Sequence, residues 1–285
     1  MKRIDEGIDI TCVCCGKRSW IKKFSLPKFL YGKRYYIYKC PYCGCGLSYP
    51  PPNFFYINNN DYVDKFKRKE KVYKKHARNL INVLVNYIGL ENFKKSKFSL
   101  LDIGCGGGYL LKEAEKKGID AWGIEVNQRL IELLSKKGLK VYNKTVDDFL
   151  SQKIQFDIII LSAVLEHIKD ADIFLKKIKF ILKKNGIILL SQATYDGLLP
   201  TLFPFLWYAW QPWEHYWHFT PHSITRLANR LGFKVVFFKR ESLYYELSSQ
   251  KNSLYTIGKF LAYLVAKFGN LVRLGDNFKI ILKMD

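Results

Sequence analysis

Apolar residues recur along this chain in two registers, and the alternation between them lays out a strand-and-helix order. From about residue 98 onward, short apolar runs predict strands at Ile119–Glu125, Leu139–Tyr142, Phe156–Leu161 and Ile187–Ser191. The run Phe156-Asp-Ile-Ile-Ile-Leu161 is nearly continuous, as expected of a parallel strand covered on both faces. Asp170–Leu182 instead places Ile173, Phe174, Ile178, Ile181 and Leu182 at helical spacing, and Asn185-Gly186 punctuates it before the next strand. His222–Leu231, Phe233–Phe238 and Asn277–Lys283 then read as helix, strand and strand. Upstream, Arg34–Lys39 predicts a strand. A basic helix over Lys65–Lys75 runs into an apolar-periodic one (Leu80, Ile81, Leu84, Val85, Ile88) that would pack on the sheet. Strands alternating with helices imply an α/β fold around a largely parallel sheet.

The most informative junction is Ser99–Leu111, where an apolar run ends in Asp102 and a loop carries Gly104, Gly106, Gly107 and Gly108 before helical periodicity begins. Glycines at alternate positions let a backbone turn with φ > 0 and pass close beneath a ligand. At the carboxyl end of a first strand, this is how an α/β sheet seats a nucleotide-like group. The dinucleotide spelling G-x-G-x-x-G fails, because Tyr109 stands where its third glycine belongs. The sequence G-x-x-x-x-G-K-[ST] does not occur, so a P-loop is not supported.

The spelling Asp-x-Gly-x-Gly-x-Gly resembles motif I of class I S-adenosylmethionine (SAM)-dependent methyltransferases. Ser162-Ala-Val-Leu-Glu166-His167-Ile-Lys-Asp170 is similar to the segment after strand four in the ubiquinone-biosynthesis-type and sugar-type members. The resemblance runs from about Phe98 to the C-terminus. It implies a seven-stranded Rossmann-like sheet whose last strand is antiparallel, with SAM held by Asp102, Gly104, Cys105, Gly106, Gly108 and Ser162. Glu125, at the tip of the second strand, would accept the ribose hydroxyls. Asp147 or Asp148 would lie beside the adenine, although an acid in a helix's first turn also satisfies its own amides.

Cys12-Val-Cys14-Cys15-Gly16 and Cys40-Pro-Tyr-Cys43-Gly44 are two C-x2-C-G units. Cys12, Cys15, Cys40 and Cys43 would form the four-thiolate tetrahedron that structural Zn²⁺ favours, with Cys14 and Cys45 as adjacent spares. The ribbon and its sequel, Pro50-Pro-Pro with Tyr56 and Tyr62, resemble the front of zinc-ribbon methyltransferases encoded with surface-polysaccharide genes. The expected organisation is a zinc ribbon over 1–52, a helical connector over 53–97 and a SAM domain over 98–285. That domain carries an aromatic insertion at 194–220 and an apolar helix at 253–272.

The insertion holds Trp207, Trp210, Trp213 and Trp217, four of the chain's six tryptophans. Leaving the carboxyl end of strand five, it would form a water-excluding lid, or else a hydrophobic cluster beneath a long loop. Methyl transfer to oxygen needs a proton acceptor, and histidine suits that near neutral pH. His215, His218 and His167 are the candidates, with His215 as base and Glu214 or His218 orienting it. His76 reads as a solvated or helix-packing residue. Thr220-Pro221 would cap the following helix.

Net charge is +22, and residues 1–97 carry 21 Lys and Arg against 7 Asp and Glu. A basic front half suits anionic partners, while abundant Lys, Ile, Asn, Tyr and Phe together also suit an AT-rich genome. Seven cysteines without a signal-like apolar segment point to metal or free thiols in a reducing cytoplasm. Lys259 and Lys267 break the apolar stretch Ser253–Val272, which reads as a packed or interfacial helix with peripheral membrane contact as one option. The sequence therefore suggests a methyltransferase acting on a small-molecule or glycan- or lipid-linked acceptor, such as a saccharide or glycolipid. The alternative is a zinc-ribbon RNA methyltransferase, disfavoured because Ser162-Ala-Val-Leu lacks the Asn/Asp-Pro-Pro-aromatic motif of base amino-methylases. A non-catalytic scaffold would have no need of Asp102, Gly104, Gly106 and Glu125.

Overall fold

The computed structural model describes residues 8–26, 33–52, 60–204, 207–242 and 253–285. Tyr56, named in the sequence reading, lies outside them. A seven-stranded sheet runs in the order β10-β11-β8-β7-β4-β5-β6. Its strands are β4 (Ser99–Ile103), β5 (Asp120–Ile124), β6 (Lys140–Tyr142), β7 (Phe156–Ser162), β8 (Leu182–Ala193), β10 (Phe233–Glu241) and β11 (Asn277–Met284). β4 pairs in parallel with β5 and β7, and β5 with β6. The last strand is antiparallel, so the expected α/β sheet is the one observed.

The chain forms two compact units. One comprises Phe54–Val164, Ile173–Leu190 and Ile281–Asp285. It contains α1 (Asn60–Arg68), α2 (Glu70–Ile88), α3 (Leu90–Lys95), α4 (Tyr109–Glu115), α5 (Gln128–Ser135), α6 (Val146–Ser151) and most of α7 (Ala171–Phe180). The basic stretch expected as one helix breaks at Lys69, whose φ of −110° and ψ of 24° leave the helical region. Past the break, Ala77, Leu80, Ile81, Val83 and Leu84 give α2 its buried face. Ile158, Ile159, Ile160 and Leu161 of β7 are all buried, which explains their lack of alternation.

Leu182, expected at the end of a helix, instead begins β8, because α7 stops at Phe180. The expected turn survives inside that extended run: Asn185 adopts φ +67°, which asparagine tolerates better than most residues. A Cβ on Gly186 would stand 2.8 Å from Leu182 Cδ1, so the chain doubles back closely there.

The other unit comprises Met1–Asn53, Leu165–Asp172 and Ser191–Ile280. Its four-stranded sheet has the order β1 (Ile21–Leu26), β2 (Tyr35–Lys39), β3 (Gly46–Tyr49) and β9 (Trp217–His218). The partner of β3 thus comes from the aromatic insertion, in the antiparallel register Gly46↔His218 and Leu47↔Trp217. Neither β1, β3 nor this pairing was predicted from sequence. Trp207 and Trp210 join Leu26, Tyr35, Ile37 and Tyr195 in a hydrophobic core, and Trp217 stacks on Trp20 at 6.2 Å. Trp207, Trp210 and Trp217 are at most 3% exposed and Trp213 is partly buried, so of the two expectations the hydrophobic cluster is the one observed.

α8 (Leu198–Leu202), α9 (Pro221–Arg230) and α10 (Ser253–Leu271) complete the unit. Thr220 caps α9 with a reciprocal bond to Ser223, and Pro221 follows at its first turn, as expected. Among the described residues no helix is long and apolar enough to cross a membrane.

Candidate functional site

The glycine loop follows β4 as anticipated. Gly104, Gly106 and Gly108 adopt φ of +70°, +51° and +69°, all in the left-handed region. The amides of Gly104 and Cys105 donate to the Ile124 carbonyl, and that of Gly108 to the Cys105 carbonyl. The Gly106 amide goes instead to Glu125 Oε2 at 2.9 Å, while Glu125 Oε1 accepts from Val126 and Asn127 at 2.8 and 3.1 Å. Glu125 is thus bound first to its own loop. A carboxylate has about four acceptor positions, so room remains for further donors.

Asp102 is buried beside it. Burial, and then the charge of Glu125, push its carboxyl up to about 8. The Glu125 carboxylate and the mostly protonated Asp102 carboxyl beside a glycine turn suit a cationic, hydroxyl-bearing ligand, whose positive charge would favour loss of the Asp102 proton. Cys105 packs under Gly123, where a Cβ would stand 2.7 Å from its sulfur, and burial pushes its thiol up. Its side chain supports the turn from below.

Phe66 of α1 lies over the loop. A Cβ on Gly106 would stand 2.6 Å from its ring, and its own ring packs 4.9 Å from that of Tyr73, which stacks on Tyr109. His76 of α2 lies 2.9 Å from the Ser162 hydroxyl at the end of β7. Sequence reasoning missed both contacts. Tyr62 and Phe66, four apart on one helix, were the available signal for the first. The second joins residues 86 positions apart, with no local signature.

At the start of α6, Asp148 closes a capping box, accepting from the Thr145 amide and hydroxyl at 2.6 and 2.8 Å. Asp147 is exposed and ion-paired with Lys177 at 2.7 Å. Of the two acids, Asp148 serves the helix.

In the other unit, the sulfurs of Cys12, Cys15, Cys40 and Cys43 all lie within 4.8 Å of one another. The pairs Cys12–Cys43 and Cys15–Cys40 are 3.5 Å apart. That approaches the ~3.8 Å edge of a thiolate tetrahedron with Zn–S near 2.3 Å. The two knuckles repeat one turn: the Gly16 amide donates to the Cys12 carbonyl and that of Gly44 to Cys40, at φ of +74° and +73°. The donor set fits zinc. Cys14 and Cys45 also approach Cys12, but they share only that sulfur with the four and make a group of three by themselves.

The three histidines differ. His218 Nε2 lies 2.8 Å from the Ser48 hydroxyl, and burial pushes its pKa down to about 3. That makes it a weak base. His215 Nδ1 bonds the Ala209 carbonyl at 3.0 Å, and His167 Nδ1 the Glu214 carbonyl at 3.1 Å. His215 thus has the Ala209 backbone carbonyl as a partner at Nδ1, and its ring lies 6.0 Å from that of His218, which was expected with Glu214 to orient it. Glu214 instead accepts from Trp213 Nε1. A carbonyl can only accept, so both Nδ1 atoms carry the proton and Nε2 holds the lone pair. Glu166, next to His167, is buried and was not singled out as a site residue.

These features have counterparts elsewhere. A ubiquinone biosynthesis O-methyltransferase of Pelagibacter ubique (strain HTCC1062) is 37% identical over 107 residues, 36% of this chain and 42% of that protein. One from Pasteurella multocida (strain Pm70) is 26% identical over 151 residues, 45% of this chain and 62% of that protein. The chain spans less than half the length of the first of these. A SAM-dependent methyltransferase from Archaeoglobus fulgidus superposes with a TM-score of 0.53 at 20% identity, over 77% of this chain and 99% of that one. A plantazolicin methyltransferase solved with SAH gives 0.52 at 17%, over 79% and 88%. Both share the fold. The family described as methyltransferase domain matches residues 73–237, more than half of the chain, from α2 through the glycine loop into β10, and to that family this protein belongs.

Proposed function

We propose that this protein is a SAM-dependent methyltransferase acting on a hydroxyl of a small acceptor. The observation that carries the reading is the bond from Gly106 to Glu125, which ties the positive-φ glycine turn to the acid at the tip of β5. SAM held there would supply a sulfonium methyl for the acceptor oxygen, leaving the demethylated product, and the acceptor's hydroxyl proton must be removed.

The chain's own contribution is positioning and proton removal. Glu125 holds the ribose hydroxyls while bracing the loop. Gly104, Gly106 and Gly108 let the backbone approach, with Cys105 beneath. Asp102, protonated without the ligand at neutral pH, would ionise to answer the ligand's positive charge, and Ser162, set by His76, faces the same strand ends. Asp147, exposed and ion-paired with Lys177 while Asp148 caps α6, takes the adenine amine. His215 and His167, with basic Nε2 atoms set by carbonyls, are the groups suited to take the acceptor's proton. His218, buried and bonded to Ser48, holds the sheet together. Zn²⁺ on Cys12, Cys15, Cys40 and Cys43 is structural, since four thiolates leave no open position.

The ubiquinone-biosynthesis relatives support a small hydroxylated acceptor. Within that class we favour a saccharide or lipid-linked glycan. The exposed Leu261, Leu264, Phe268 and Leu271 of α10 support peripheral contact with a membrane from the cytoplasmic side. The test is incubation with methyl-labelled SAM and cell extract divided into nucleic-acid and glycan/lipid fractions. Label in the glycan/lipid fraction is expected, and label confined to RNA contradicts the reading.

A further inference from the structure

Glu166, His167 and His215 converge where no role beyond proton transfer has been given them. Leu165–His167 forms a single 3-10 turn, and its Glu166 carbonyl accepts from the Tyr216 amide at 2.9 Å. His167 Nδ1 reaches back to the Glu214 carbonyl. These two bonds fasten the turn to the segment that carries His215. One donor atom from each of the three side chains lies within 4.8 Å of the others, and the imidazole centroids are 4.7 Å apart at 73°.

Two further observations distinguish this cluster from a chance meeting of polar groups. Glu166 is only 3% exposed, and its Oε2 is buried with no hydrogen-bond partner among the described residues. A buried carboxylate oxygen in that state is costly. Each histidine also donates Nδ1–H to a backbone carbonyl, the arrangement that fixes the tautomer and orientation of metal-ligating imidazoles. Nε2 is then the atom each ring offers.

We propose that Glu166, His167 and His215 bind a divalent first-row transition ion, distinct from the zinc of the cysteine cluster. Two imidazoles and one carboxylate suit Zn²⁺, Mn²⁺, Fe²⁺ or Co²⁺, in contrast to the all-thiolate set. Three protein ligands leave coordination positions open, as in sites that engage a substrate. Binding of the ion stands on this geometry alone and does not depend on the methyl-transfer reading.

The full chain, stripped of metal and titrated with Co²⁺, tests this. Cobalt on cysteine shows thiolate charge-transfer absorption, and cobalt on nitrogen and oxygen does not. One equivalent without thiolate character is expected. Glu166→Gln, His167→Gln and His215→Gln should each weaken it at least about tenfold, with native circular dichroism and the thiolate-bound equivalent retained. Absence of that equivalent from the wild-type protein overturns the site, as does its persistence in all three folded variants. SAM binding, measured calorimetrically on the same preparations, reports separately on the methyl-transfer reading.

Discussion

Glu125 accepts a hydrogen bond from the Gly106 amide while its other oxygen accepts two from Val126 and Asn127. The tip of β5 and the loop after β4 are therefore one bonded piece, and the carboxylate that would grip the ribose also sets the loop's shape. Glu125→Gln keeps the size but loses the charge, and one side-chain atom becomes a donor facing amides. A hydrogen bond to a charged group is worth about 1.5–3 kcal/mol. Thermal unfolding should show a loss of that order, and calorimetry a fall in SAM affinity of at least about tenfold.

At Gly106 two obstacles meet. Its φ of +51° costs an L-residue about 1–2 kcal/mol, and an added Cβ would stand 2.6 Å from the Phe66 ring. Gly106→Ala should therefore lose both stability and SAM binding. Adding Phe66→Ala removes the steric half only, so the double variant should be more stable than Gly106→Ala paired additively with Phe66→Ala. Simple additivity in the melting data would show that the ring yields freely.

The cysteine cluster gives a prediction by contrast. Cys12→Ala or Cys40→Ala should abolish stoichiometric zinc and lower the melting temperature, because structural zinc contributes directly to folding. Cys14→Ala should keep one zinc per chain, since its buried thiol lies outside the four-sulfur set. Zinc content after gel filtration decides it. Zinc lost with Cys14 and kept with Cys12 would reassign the ligands.

Asp102 makes the ligand-free protein sensitive to pH. Its carboxyl titrates at about 8 when folded, through burial and then Glu125, against 3.8 as its ordinary value. The folded state thus holds a proton that the unfolded chain has released. The stability that Asp102 contributes is fully present below the unfolded value and is lost as pH rises through about 8. Asp102→Asn removes the ionisation, so its advantage over wild type should grow between pH 5 and 8. A wild-type melting temperature with the same pH slope as the variant would contradict this.

What the sequence disclosed was local. The glycine loop was legible because positive φ demands glycine at Gly104, Gly106 and Gly108. The knuckles were legible because each closes within five residues by a glycine amide. Covered strands such as β7 announce themselves by unbroken β-branched runs. The rest was non-local. Nothing near Gly46 foretells pairing with His218, and nothing near His76 foretells Ser162. The tryptophans of 194–220 show the same limit: their density signalled burial, but only β1 and β2 reveal what they are buried against. His218 looked like its neighbours in sequence, and burial, with the charge of Lys23 second, made it a poor base.

The central claim is that the turn from Asp102 to Gly108 holds SAM with Glu125, and titration calorimetry of the full chain tests it most directly. Saturable one-to-one binding of SAM and its demethylated product is predicted, lost in Gly106→Ala and weakened in Glu125→Gln. Heats no larger than dilution for both compounds, or binding untouched by either substitution, would contradict it.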